Sequence, residues 1–145
     1  MEMLENLIII DANFVLLPFQ FKIDYLTEIT SSLEGITRFF VYKQILNELE
    51  AKKLREPNAT KFHMNLKSGL LYLEKNDNNF DILYKENIKS KEETTDDFLL
   101  KICLELKEKN NKVYLASNDA DLRRKARKIG ISTIFLRQRK YLSFD

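Results

Sequence analysis

Two apolar runs in this chain end in acids. Leu7-Ile8-Ile9-Ile10 empties into Asp11, and about a hundred residues later Val113-Tyr114-Leu115-Ala116 runs into Ser117-Asn118-Asp119. Between them lie Glu48 and the pair Asp96-Asp97 on helix-like segments, and Asp121 follows. Carboxylates gathered within a few Å of one another repel by several kcal/mol at an effective dielectric of about 20, so some stay protonated or a cation binds among them. Hard oxygen ligands select Mg²⁺ or Mn²⁺. Such an ion lowers the pKa of bound water and steadies charge on a phosphoryl group, chemistry that needs no histidine.

Competing chemistries lack their residues. The three glycines, Gly35, Gly69 and Gly130, do not follow the first apolar run, so there is neither a phosphate-cradling loop nor a dinucleotide fingerprint. The residue two after Asp11 is Asn13, which breaks the aspartate pair a haloacid-dehalogenase-type phosphatase uses as nucleophile and acid. The single histidine, His63, sits mid-helix, so no Ser/His/Asp or Cys/His arrangement can form. One histidine and one cysteine, Cys103, are too few for a zinc cluster or an internal disulfide, and both are expected to be structural.

The elements that must position the acids alternate along the chain. Residues 6–10 read as a strand buried on both faces. A helix is expected over 22–33, with Tyr25, Leu26, Ile29 and Leu33 inward and Gly35 stopping it. A strand over 36–42 and a helix over 43–55 carrying Ile45, Leu46 and Leu49 follow; Pro57 breaks that helix and Asn58 can cap the next. That third helix, to about residue 75, carries Phe62, Leu66, Leu70 and Leu73 on one stripe. Asn76–Asn79 is a turn, and 80–84 a short strand. After a polar segment, Thr94 or Thr95 caps a helix over 96–109, whose acidic first turn suits the positive helix end. A strand over 113–116, a helix over 120–129 ended by Gly130, and a strand over 132–136 complete the pattern.

Strands separated by helices imply an α/β fold: a five-stranded parallel sheet in a three-layer α/β/α domain, with the first and fourth strands central. In the order 3-2-1-4-5 the winding reverses between those two strands and opens a crevice at their carboxyl ends, with Asp11 and Asp119 side by side. Taken singly, each acid has a structural alternative. Asp11 and Asp119 also suit an Asx turn or helix cap, and Asp96 and Asp97 suit first-turn acids serving the helix dipole. Glu48 flanks the apolar stripe of its helix.

A chain of 145 residues fits one domain. With no apolar run near the roughly 20 residues of a membrane span and no basic start at Met1-Glu2-Met3, the protein is expected in the cytoplasm, without membrane contact. The net charge of +2 conceals an asymmetry: from residue 121 on, eight basic residues face Asp121 and Asp145, a local +6 that leaves the remainder at −4. A basic end beside an acidic cluster suits a polyanion that is both held and cut.

Four segments in order, Ile8-Ile9-Ile10-Asp11-Ala12-Asn13, Ile45-Leu46-Asn47-Glu48-Leu49, Thr94-Thr95-Asp96-Asp97-Phe98-Leu99-Leu100 and Ala116-Ser117-Asn118-Asp119-Ala120-Asp121-Leu122, resemble the PIN-domain family of ribonucleases across essentially the whole chain. The last third, through Arg123-Arg124 to Arg139-Lys140-Tyr141, is most similar to the branch containing the small-subunit processome nuclease, and less so to VapC toxins. The resemblance implies a PIN-like domain in which Asp11, Glu48, Asp96 and Asp119 bind the metal, with Asp97 as a substitute for its neighbour and Asp121 in support.

An Mg²⁺- or Mn²⁺-dependent endoribonuclease is therefore expected, acting on single-stranded or looped RNA in rRNA processing or RNA turnover. Arg123, Arg124, Arg127, Arg137, Arg139 and Lys140 would hold the backbone, and Tyr141 or Phe144 would stack on a base. The alternatives are a toxin restrained by an antitoxin and a catalytically silent RNA-binding scaffold in ribosome assembly. Relatives in this family often pair as homodimers.

Overall fold

The computed structural model describes residues 4–109 and 112–145; the opening Met1-Glu2-Met3 lies outside them. In chain order the elements are β1 (Glu5–Ile10), α1 (Ala12–Val15), α2 (Leu17–Gln20), α3 (Tyr25–Ser32), β2 (Ile36–Tyr42), α4 (Lys43–Arg55), α5 (Thr60–Lys75), β3 (Asp81–Lys85), α6 (Thr95–Glu108), β4 (Lys112–Ala116), α7 (Ala120–Lys128), β5 (Ser132–Arg137) and β6 (Tyr141–Phe144). The sheet order is β3-β2-β1-β4-β5-β6. The first five strands are parallel in the expected order, and β6 adds an antiparallel sixth beside β5.

β6 corrects the expectation of five strands. The chain reverses through Gln138 and Arg139, both in the left-handed region at φ 52° and 57°, and the Lys140 N–H donates to the Arg137 carbonyl at 3.1 Å. Two consecutive positive φ values match the right-handed twist of a hairpin. Leu142 is thereby buried and Phe144 packs on the core, which removes Phe144 as a base-stacking residue.

The unbroken aliphatic runs occupy the middle of the sheet because both of its faces are covered. Ile8, Ile9, Ile10, Leu115 and Ala116 are fully buried, with Ile9 opposite Leu115 and Ile10 opposite Ala116. Right-handed crossovers put α1–α5 on one face and α6 with α7 on the other. Edge-on ring contacts fit that division: Phe14 meets Tyr25 on the first face, and Tyr42 meets Phe98 of α6 on the second.

Two approaches fix the helices of the first face. A Cβ at Gly69 would stand 1.8 Å from the Val15 carbonyl oxygen, so only glycine lets α5 lie against the end of α1. The Tyr72 hydroxyl of α5 donates to Asp24 and accepts the Leu26 N–H at 2.9 Å, tying α5 to the start of α3. On the opposite face the Cys103 thiol is fully buried, and that burial pushes its pKa up to about 12. His63 Nε2 donates to the Glu56 carbonyl at 2.9 Å, a structural role. Asn58 does not cap α5, whose N-cap is Ala59 without a side-chain bond; Thr94 is the cap of α6.

Candidate active site

Because β1 and β4 are neighbours in register, their carboxyl ends bring two distant acids to one edge. The Asp11 N–H still donates to the Ala116 carbonyl at 3.0 Å, so the carboxylate leaves the sheet where β4 hands over to Ser117. Asp11 is only 8 % exposed. Its Oδ1 accepts from the Ala12 N–H at 2.8 Å, and its Oδ2 from Ser117 Oγ at 2.7 Å and Asn13 Nδ2 at 3.3 Å. Burial drives its pKa above the usual carboxylate value; the bonds from Ser117 and Ala12 oppose this, and the charges of Asp96 and Asp119 add to it.

Asp119 is the N-cap of α7. Its Oδ1 accepts from Asp121 N–H at 2.9 Å and Leu122 N–H at 3.2 Å, while Oδ2 has no hydrogen bond among the described residues. Capping thus uses one oxygen and leaves the other available to a ligand.

Asp96 reaches the crevice from the first turn of α6. Burial raises its pKa, Asp119 raises it further, Lys125 opposes, and Asp121 and Asp97 add smaller repulsions. Of the Asp96-Asp97 pair, only Asp96 perturbs Asp11; Asp97 is exposed. Glu48, half-buried on α4, accepts a short hydrogen bond from the Thr95 hydroxyl, which sets it beside the start of α6. Asp11, Asp96 and Asp119 thus share one field, and Glu48 is joined to the start of α6 through Thr95. Among the described residues, no three acid, His or Cys side chains close tightly enough, as they stand, to enclose an ion. The donors nonetheless fit a hard divalent cation in kind, all carboxylate oxygens, and the mutual repulsion of Asp11, Asp96 and Asp119 is what such an ion relieves.

A polar relay behind the acids escaped the sequence reading. Asn13 Oδ1 accepts the Asn118 N–H at 2.9 Å, Asn118 Oδ1 accepts the Leu136 N–H at 2.8 Å, and Ser117 Oγ accepts the Asp119 N–H at 3.1 Å. The loop carrying Asp119 is thereby tied to Asp11 on one side and to β5 on the other. Its only sequence signal is the density of small polar residues beside both acids.

The basic residues divide. Arg124 pairs with Asp121, and Arg127 with Asp145 at 2.7 Å. The Arg123 guanidinium stacks on Phe135 at 3.8 Å, and its Nε has no hydrogen-bond partner. Arg137, Arg139 and Lys140 form no ion pair among the described residues. Since β5 is parallel to β4, the tip of the β5–β6 hairpin that bears them stands at the same edge of the sheet as the acids.

The pattern described as the PIN domain matches residues 8–137, and the chain belongs to that family, a family of nucleases. Its fold is similar to that of the PIN domain endonuclease Utp24, at 24 % identity over 96 % of this chain and 90 % of that one, TM-score 0.65. A domain of a functionally unknown protein from Methanocaldococcus jannaschii DSM 2661 is 18 % identical over 90 % and 91 %, TM-score 0.60. The T5 D15 protein co-crystallized with metal ions is 16 % identical over 93 % of this chain and 56 % of that one, TM-score 0.50. At these identities the likeness is one of fold. No curated protein sequence matches the chain significantly.

Proposed function

We propose that the protein is a divalent-metal-dependent endoribonuclease in which Asp11, Glu48, Asp96 and Asp119 hold Mg²⁺ or Mn²⁺. The observation that carries this is the buried Asp11 carboxylate, repelled by both Asp96 and Asp119 at the carboxyl edge between β1 and β4. Crystals of the similarly folded T5 D15 with metal ions support the ion. Such an ion, when bound, supplies charge stabilisation for the phosphoryl oxygens and a more acidic water.

The chain's own groups do the rest. Ser117 and the Ala12 N–H orient the Asp11 carboxylate and favour its charged form against burial, and Thr95 fixes Glu48. Arg123 and the hairpin cations Arg137, Arg139 and Lys140 draw the phosphate backbone across the edge. A flexible, unpaired strand suits this arrangement, since its backbone can bend to bring a phosphate against acids gathered at the end of a parallel sheet.

Asp11→Asn keeps the acceptor for Ala12 and removes the charge. With Mn²⁺ and an unstructured RNA, its cleavage rate is expected to fall about 10²-fold or more, a loss of several kcal/mol of transition-state stabilisation. Cleavage at the wild-type rate by a folded variant overturns the assignment.

A further inference from the structure

One cation reaches into the acid cluster from α7. Lys125 Nζ lies 3.4 Å from Asp121 Oδ2 and 3.9 Å from Asp96 Oδ2, and so spans two acids that stand on different helices. Arg124 takes the other oxygen, Asp121 Oδ1. Both oxygens of Asp121 are therefore committed to cations on its own helix, one turn away, where i,i+3 and i,i+4 spacing makes such pairs natural. The Asp96 contact is different, since nothing in helical spacing requires Lys125 to reach α6.

The acids divide accordingly. Asp11, Asp119 and the Asp96 oxygen not turned to Lys125 form no ion pair within 4 Å among the described residues; Arg123 feels the charge of Asp119 only from further off. Asp121 and Asp96 Oδ2 already have such a pair. An ion entering the first group meets carboxylates without a paired cation; an ion entering the second must displace an ammonium group.

Resting on the nuclease reading above, we infer that Lys125 is a resident counter-charge filling the Asp121 side of the acid cluster, so that the site takes one divalent ion, held by Asp11, Glu48, Asp96 and Asp119. Asp121 then acts as the anchor for Lys125 rather than as a metal ligand. A lysine held this way also presents a positive charge to a phosphate lying over the bound ion, without needing a second one.

Counting Mn²⁺ tests this directly. Free Mn²⁺ is followed by electron paramagnetic resonance during titration of wild type, Lys125→Gln, Lys125→Arg and Asp11→Asn, each checked for folding by circular dichroism. Wild type and Lys125→Arg are expected to take up one ion per chain, and Lys125→Gln two, with the first bound on the order of ten-fold more tightly for want of a competing charge. One equivalent in Lys125→Gln, or two in wild type, overturns the inference and leaves the nuclease assignment standing. No uptake by wild type, with Asp11→Asn indistinguishable from it, overturns both.

Discussion

Asp11 and Asp96 are held where their charges are least comfortable. Burial raises the pKa of each, Asp119 presses on both, and only Lys125 eases Asp96. A site assembled from like charges is stable chiefly when something positive occupies it, so function and metal-free stability pull in opposite directions. Asp96→Asn is accordingly expected to raise the thermal midpoint of the metal-free protein at neutral pH while lowering cleavage about 10²-fold or more. Added Mg²⁺ should raise the wild-type midpoint more than the variant's, which differential scanning with and without the ion measures. Asp11, Asp96 and Asp119 were legible in the sequence because each follows an apolar run or stands at the start of a helix, whereas Glu48, in the middle of α4, stood out only through the family resemblance. The Asn13–Asn118 and Thr95–Glu48 contacts were not, since their partners lie 105 and 47 positions apart and nothing local marks the pairing.

At the scale of elements, the first face is locked at Tyr72. Its hydroxyl serves Asp24, the N-cap of α3, and the N–H of the fully buried Leu26. Tyr72→Phe leaves that buried N–H without an acceptor and is expected to cost about 2 kcal/mol. The loss should depend on pH. Burial works to raise the Asp24 pKa, but the bonds from Tyr72 and Thr27 outweigh it and hold the carboxyl below its ordinary value. A folded value below the unfolded one contributes stability above the unfolded pKa, lost as pH falls through the folded value. The difference between wild type and variant, measured by urea unfolding, should therefore narrow on acidification. The strands β1 to β5 and the longer helices were readable from apolar runs and helical spacing. The short α1 and α2 were not, being four residues each, the second opened around Pro18, too short for any period to show. β6 was hidden by its basic approach, which reads as a tail until the turn at Gln138-Arg139 folds it back.

The whole molecule is polarised, acids and basic hairpin sharing the carboxyl edge of one sheet. Arg139 carries a cost there, since a non-glycine residue at φ 57° is strained by roughly 1 kcal/mol. Arg139→Gly is expected to stabilise the fold by up to about 1 kcal/mol, part of the relief being offset by glycine's freedom in the unfolded chain. The same change should weaken RNA binding uniformly across sequences and reduce its dependence on the logarithm of salt concentration by about one phosphate contact. Chemical denaturation and binding titrations at several salt concentrations read the two effects. Cys103, finally, is the chain's one thiol, sealed inside α6 with its proton firmly held. An alkylating reagent can reach it only when that helix opens, and Asp96 rides on the same helix. The rate at which the folded protein becomes alkylated is thus a clock for excursions of the helix that carries Asp96, and a cysteine placed at the hairpin tip can be labelled while the buried native thiol stays protected.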